Sequence, residues 1–153
     1  LLLQCFITEC LTELAGLDAA DLIMDTFYEK SYARMQIFGR ALVESFLFME
    51  GKCIVSYIRK KVMDFYGVKP KDLDGIVSQL RNTRGVEVAI FMYELDQNVF
   101  KVSLRSGNEV DVSKIAGYFG GGGHEKASGV TMTGTPQDIL NNLAERIDEQ
   151  LKG

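Results

Sequence analysis

Val86-Glu87-Val88-Ala89-Ile90-Phe91-Met92-Tyr93-Glu94-Leu95 is a ten-residue run rich in apolar, β-branched and aromatic residues, preceded by Gly85 and followed by Asp96-Gln97-Asn98. Its length and composition predict a central strand buried on both faces. Asp96-Gln97-Asn98 reads as a turn. From Val99 to Arg105 the pattern alternates, with Phe100, Val102 and Leu104 on one side and Lys101, Ser103 and Arg105 on the other. Strands interleaved with helices over 51–153 make one sheet with helical cover.

Upstream, Cys53-Ile54-Val55-Ser56-Tyr57-Ile58 is a compact β-rich run. Arg59 to Tyr66 reads as a short helix closed by Gly67 and Pro70. Asp72 is placed to cap a helix through Leu73, Ile76, Val77 and Leu80. Downstream, Asp111 or Ser113 starts a short helix that ends at Phe119. Gly120-Gly121-Gly122-Gly123-His124 follows and reads as a loop, and then a strand from about Gly129 to Thr133. Thr135-Pro136-Gln137-Asp138 has the form of a helix start, with a Thr cap, Pro in the first turn and an acid three residues on. Ile139, Leu140, Leu143, Ile147 and Leu151 mark the buried stripe of that last helix.

Residues 1–50 read differently. Helices are expected over 2–15, from Ala19 to about Tyr28, and from Ser31 through Phe46 and Leu47, where Gly51 stops the last. The expectation is an α/β protein: one mixed β-sheet domain with helical cover at 51–153, preceded by an all-helical linker segment at 1–50. The chain opens inside an apolar stretch, Leu1-Leu2-Leu3, without methionine, and is therefore expected to be part of a longer polypeptide.

Composition narrows the class. Hydrophobic residues make up 46% and charged residues 25% of 153, which fits a globular protein with a real core. The net charge of −4 is unevenly spread. Residues 1–50 hold eight acids and three bases, whereas 51–130 hold nine acids and twelve bases. Cys5, Cys10 and Cys53 form no C-x-x-C pair and are expected to be reduced, buried thiols of a cytoplasmic protein. There is no signal peptide and no apolar run of membrane-spanning length.

The glycine run decides the site. Successive amides in such a loop can surround an anion, and His124, the only histidine, adds a donor tunable near neutral pH. The pattern fails the phosphate-loop and dinucleotide fingerprints, since no Gly-Lys-Ser/Thr follows and a helix, not a strand, comes first. No G-x-S-x-G or metal-ligand cluster is present. What remains is an anion clamp. Arg105 ends a strand with a planar fork suited to phosphate, Ser106 adds a hydroxyl, Arg81 stands before the central strand, and Gly121, Gly122, Gly123 and His124 complete the cradle.

Four segments occur in one order: Leu80-Arg81-Asn82-Thr83-Arg84-Gly85-Val86-Glu87-Val88-Ala89, Lys101-Val102-Ser103-Leu104-Arg105-Ser106, Asp111-Val112-Ser113-Lys114-Ile115-Ala116, and Phe119 through the glycines and His124 to Gly129. Over 51–153 this order resembles the C-terminal associated domain of the DHH phosphoesterases, and most of all the nanoRNase and pAp-phosphatase branch, often labelled exopolyphosphatase-related. The resemblance implies a substrate-binding domain of a manganese-dependent phosphoesterase acting on short RNA or pAp. The metal would be held by aspartates and histidines of a catalytic domain, including a DHH triplet that these 153 residues lack. No catalytic residue and no metal ligand is therefore expected in this chain. By the same resemblance Arg105 and Ser106 hold a phosphate, and Gly121, Gly122, Gly123 and His124 hold the substrate end. Family members often carry an asparagine where Ser78 stands, next to the segment of Arg81. The partners implied are a phosphorylated nucleotide or short single-stranded RNA or DNA, with a homodimer as a candidate assembly and no membrane. The alternatives are a non-catalytic nucleotide or single-strand binding module, and the corresponding domain of a RecJ-like single-strand exonuclease.

Overall fold

Strand β3, Val88–Asp96, lies at the centre of the sheet. The computed structural model describes residues 30–152. Two compact units divide the chain, Leu1–Tyr32 and Ala33–Gly153, and the architecture below is that of the second. The helices expected over 2–15 and 19–28, with Cys5 and Cys10, lie outside the described residues.

The elements run α1 (Tyr32–Val43), β1 (Phe46–Phe48), β2 (Cys53–Ile58), α2 (Lys60–Tyr66), a 3₁₀ turn (Pro70–Leu73), α3 (Ile76–Arg81), β3, β4 (Val99–Ser106), α4 (Val112–Tyr118), β5 (Gly122–His124), β6 (Ala127–Thr133) and α5 (Pro136–Lys152). The six strands form one sheet in the order β1-β2-β3-β4-β6-β5. Only β2 and β3 are parallel. Their connection carries α2, the 3₁₀ turn and α3, as a parallel crossover needs a long link. The remaining neighbours are antiparallel. The expected α/β fold with a single mixed sheet is what forms.

Each face of β3 has its own core. Val88, Ile90 and Met92 join Phe100, Val102 and Leu104 of β4, Val130 and Met132 of β6, and the apolar stripes of α4 and α5. Ala89 and Phe91 join Ile54 and Ile58 of β2, Ile37 and Ala41 of α1, Met63 of α2, and Ile76, Val77 and Leu80 of α3. The first core covers its face from β2 to β6. The second draws on no residue of β4, β6 or β5. That face is thus clothed with helices over β2 and β3, and carries a half-polar strip over β4, β6 and β5. Full burial of a side chain such as Phe100 contributes about 1.5–3 kcal/mol.

Two local expectations give way. Phe46 and Leu47 do not continue the preceding helix. They form edge strand β1, with Phe46 opposite Val55 and Phe48 opposite Cys53. Ser45 turns the chain: its hydroxyl donates to Leu42 O at 2.6 Å and its amide to the same carbonyl at 3.2 Å. Met49, Glu50 and Gly51 then take positive φ of 50°, 56° and 84° to close the β1–β2 hairpin. The second change is at Asp72, whose carboxylate accepts from Lys69 N at 2.8 Å and closes the 3₁₀ turn. Gly75, at φ 97°, separates that turn from α3. At α5, by contrast, Thr135 and Asp138 make the expected reciprocal cap: Asp138 N donates to Thr135 Oγ1 at 3.2 Å and Thr135 N to Asp138 Oδ2 at 3.2 Å.

Candidate functional site

The half-polar strip is built by strand register. Arg105 on β4 stands opposite Ala127 on β6, and Ala127 stands opposite His124 on β5. Directly opposed residues of antiparallel strands project to the same face. Arg105 and His124 therefore share one row, with only a methyl group between them. Two strand spacings separate their backbones, about 10 Å. The next row along the strip is Ser103, Gly129 and Gly122, and the third is Lys101 and Thr131. Small residues at Ala127, Gly129 and Gly122 keep the middle of the strip low.

The glycines serve this geometry in a way the sequence did not reveal. The run expected as a loop is largely a strand, since Gly122–His124 pairs with β6 as the edge of the sheet. The Gly121 amide donates to Ala116 O at 2.8 Å and closes the end of α4, so it is spent within the fold. A side chain at Gly121 would run into Gly129 O and Val130. One at Gly123 would lie 2.5 Å from Ala127 O, at a φ of 146° that L residues rarely adopt. Gly122 has nothing in the way. Two of the glycines thus allow the backbones of β5 and β6 to approach. An edge strand leaves alternate amides unpaired on its outer side, which is where β5 can still offer N–H groups.

Ser106 does not join Arg105. Strand alternation turns it to the opposite face, where it is 7% exposed and its hydroxyl donates to Glu125 O at 3.2 Å. Its amide donates to Lys126 O at 3.2 Å, and Val112 N donates to Glu125 O at 2.8 Å. Ser106 therefore ties down the β5–β6 hairpin. Arg81 is not in the row either. It ends α3, where its Nη2 and the Glu87 carboxylate both lie against Gly107, and its Nε is buried without a hydrogen-bond partner among the described residues.

Glu87 was overlooked in the sequence because it sits inside an apolar run. It is 8% exposed and accepts from the amides of Gly107 (3.1 Å), Asn108 (3.3 Å), Glu109 (2.8 Å) and Val110 (3.1 Å). This clasp fixes the loop after β4. Asn108 Oδ1 in turn accepts from Lys126 Nζ at 2.7 Å at the tip of the hairpin. The signal available in the sequence was a lone carboxylate at the start of a strand otherwise destined for burial, since such a group demands donors.

The cations of the strip, like Lys61 and Lys71 elsewhere, are not matched by acids among the described residues. The Arg105 guanidinium donates through Nη1 to its own neighbour, Leu104 O, at 2.9 Å. Neither Arg105 nor Lys101 takes part in an ion pair among the described residues. No acid occupies any position of the three rows. Two cations, a histidine and hydroxyls thus lie on one partly exposed face, a donor set whose charge favours anions over cations. The same donor set repels a divalent cation. Among the described residues no three of His, Cys, Asp and Glu come together to hold a metal ion. Among those residues, too, no helix is long and apolar enough to cross a membrane.

A separate hollow lies elsewhere on the described residues. It measures about 750 Å³ and is lined by Arg40, Glu44, Phe46, Tyr57, Arg59 and Lys61, among others. Here the arginines are already matched, Arg40 with Glu44 at 2.9 Å and Arg59 with Glu94 at 3.3 Å.

Comparison with known proteins gives a consistent picture. The model of the DHHA1 domain family matches residues 50–153. The bifunctional oligoribonuclease and PAP phosphatase NrnA of Thermus thermophilus is 35% identical over 82 residues, which is 53% of this chain and 25% of that protein. The oligoribonuclease NrnB of Bacillus subtilis is 33% identical over 141 residues, 83% of this chain and 35% of that one. The chain therefore spans between a quarter and about a third of the length of these relatives. Among solved structures, an exopolyphosphatase-related protein from Bacteroides fragilis superposes with a TM-score of 0.83 at 23% identity, over 95% of this chain and 42% of its own. At that identity the likeness is one of fold.

Proposed function

The chain belongs to the DHHA1 domain family, the associated domain of the DHH phosphoesterases, and from that premise we propose that the β4–β6–β5 strip grips the phosphate of a nucleotide or short single-stranded oligonucleotide. The row Arg105–Ala127–His124 carries this reading. Arg105 supplies a planar, permanently charged fork to phosphate oxygens, and its cost of desolvation is not already offset by a protein carboxylate. His124, at the end of the edge strand, reaches the same ligand from the other side. Ala127 leaves the space between them. Ser106, Glu87 and the hairpin glycines hold the row in register without touching the ligand, and Arg81 belongs to that support.

The related oligoribonucleases support short RNA and pAp as the substrates of the longer protein. In that protein the strip is the substrate-holding half of a phosphoesterase, and manganese and hydrolysis belong to sequence outside the described residues. A cytoplasmic place fits such substrates.

The experiment is titration calorimetry of the 153-residue chain with pAp and AMP. Arg105→Ala is expected to weaken binding by about 1.5–3 kcal/mol, the worth of a charge-assisted bond. His124→Ala weakens it as well. Arg59→Ala, in the separate hollow, leaves binding unchanged. Undiminished affinity in Arg105→Ala and His124→Ala together would sink the assignment.

A further inference from the structure

We propose that Lys101 forms a second phosphate subsite, so that the strip reads the length of the ligand as well as holding its end. This rests on the nucleotide-binding reading of the Arg105–His124 row and extends it along the sheet.

Lys101 lies on the same face of β4 as Arg105, since Lys101, Ser103 and Arg105 alternate with the buried Phe100, Val102 and Leu104. Four residues of strand separate the two cations, or about 13 Å at the usual rise. That span exceeds what one phosphate can bridge and suits a strand with more than one phosphodiester. The floor between them is Ser103 and Gly129, with Gly122 beside them. Gly129 can carry no larger group without crowding, because a Cβ there would stand 3.2 Å from Val102 O. The Lys101 stem leans over that glycine, its Cε 3.9 Å from where a Cβ would stand, and a ribose can lie against the sheet when this flexible stem swings aside. Thr131, opposite Lys101, places an exposed hydroxyl at the far end.

The neighbours do not neutralise Lys101. On β3 its register partner is Tyr93, half-buried, whose phenol is pushed above its ordinary value by burial and then by Asp74. That phenol is thus kept in its neutral form. Lys101 enters no ion pair among the described residues. Lys52, held by Glu109 at 3.0 Å, and Lys152, held by Asp148 at 2.6 Å, already have such partners; Lys71 has none among the described residues either but lies off the strip.

The test is calorimetric titration of the full 153-residue chain with AMP, pApA and pApApA, each at several salt concentrations. Lys101→Ala is expected to bind AMP within twofold of the parent chain and to bind pApApA, which has more than one phosphodiester, about five- to tenfold more weakly, with pApA in between. Its salt dependence for pApApA should fall by about 0.7 in the log–log slope, the value for one lost phosphate contact on a single strand. Lys101→Arg restores most of the gain with length, and Lys71→Ala, an exposed lysine off the strip, leaves it intact. If Lys101→Ala weakens AMP as much as the oligonucleotides, there is one phosphate site and the second is refuted. If it weakens none of them while Arg105→Ala weakens all, the length-reading subsite is refuted and the first site stands. If Arg105→Ala also weakens none, the nucleotide-binding reading itself falls.

Discussion

The two ends of β3 each carry a shielded glutamate, and the two are used in opposite ways. Glu94, near the far end, accepts from Lys60 N at 3.0 Å and Asn98 N at 3.3 Å and pairs with the Arg59 guanidinium at 3.3 Å. Arg59 also lies over the Phe100 ring, 5.6 Å from its centroid. Glu87, just before β3, spends its carboxylate on four backbone amides. One glutamate neutralises a cation that lines a large hollow. The other fixes a loop beside Arg81, and Arg105 enters no ion pair among the described residues. The available charge of a site depends on who already holds it. By that measure the two arginines of the hollow of about 750 Å³ offer less free charge than Arg105 does, although Lys61 in the same lining has no ion pair among the described residues.

The largest effect should appear where the two glutamates are removed. In Glu87→Ala the amides of Asn108, Glu109 and Val110 lose their acceptor, whereas Gly107 N keeps the Glu87 backbone carbonyl at 2.8 Å. A buried donor left unsatisfied, here Val110 N, costs about 1–3 kcal/mol before relaxation, and water can reach the exposed Asn108 and Glu109. We expect a loss of about 2–4 kcal/mol in chemical denaturation. Glu94→Ala, near a more open surface, should cost about 1–2 kcal/mol, since exposed amides and Arg59 recover solvent. A larger loss in Glu94→Ala than in Glu87→Ala would overturn the contrast.

A smaller effect separates neighbouring glycines of the hairpin. Gly123→Ala forces a methyl group to within 2.5 Å of Ala127 O and 2.6 Å of Ser128 Cα, at a left-handed φ. It should destabilise the chain by about 1–3 kcal/mol, as overpacking does, and should disturb the amide signals of His124 and Ala127. Gly122→Ala meets open space and should change stability by less than about 0.5 kcal/mol. Equal losses in the two variants would mean that β5 does not pair with β6 as described.

How much of this was legible follows from the range of the interactions involved. β3 and β4 could be read because burial on two faces, or on one, writes itself into a local pattern, and Arg105 was found on the polar side of β4 for that reason. The cap of α5 was legible because Thr135 and Asp138 are three residues apart. β1 was not, because Phe46 and Leu47 continue the helical spacing of Phe38 and Leu42, and only the Ser45 hydroxyl breaks it. β5 was not, because glycine favours no strand by itself; its pairing comes from close approach to β6. Ser106 was placed beside Arg105 by adjacency in sequence, although neighbours in a strand face opposite ways. The Glu87 clasp joins residues 20 to 23 positions apart. No local pattern records it. Of the site, then, the row members Arg105 and His124 were visible one at a time. That they share a row was a fact of register.

The smallest expected effect concerns pH and tests the far end of the comparison. Burial alone would raise the Glu94 carboxyl, yet the Lys60 and Asn98 amides and the Arg59 guanidinium outweigh it, and its pKa falls below the ordinary 4.5. The unfolded chain then binds a proton more readily than the folded one as the solution is acidified. The stabilisation is fully present above about pH 4.5 and is lost as the pH falls through the lower, folded value. Glu94→Gln, which cannot ionise, should be slightly less stable than the parent at neutral pH and should converge on it below that window. Asp111, also held below its ordinary value, first by the Ser113 hydroxyl, acts in the same direction in both proteins and cancels in the difference. Thermal denaturation from pH 7 to pH 3 reads this out. A gap between the two proteins that stays constant down to pH 3 would show that Glu94 contributes through packing and not through charge. The distinction drawn between a glutamate that holds a cation and one that holds a loop would then lose its physical basis.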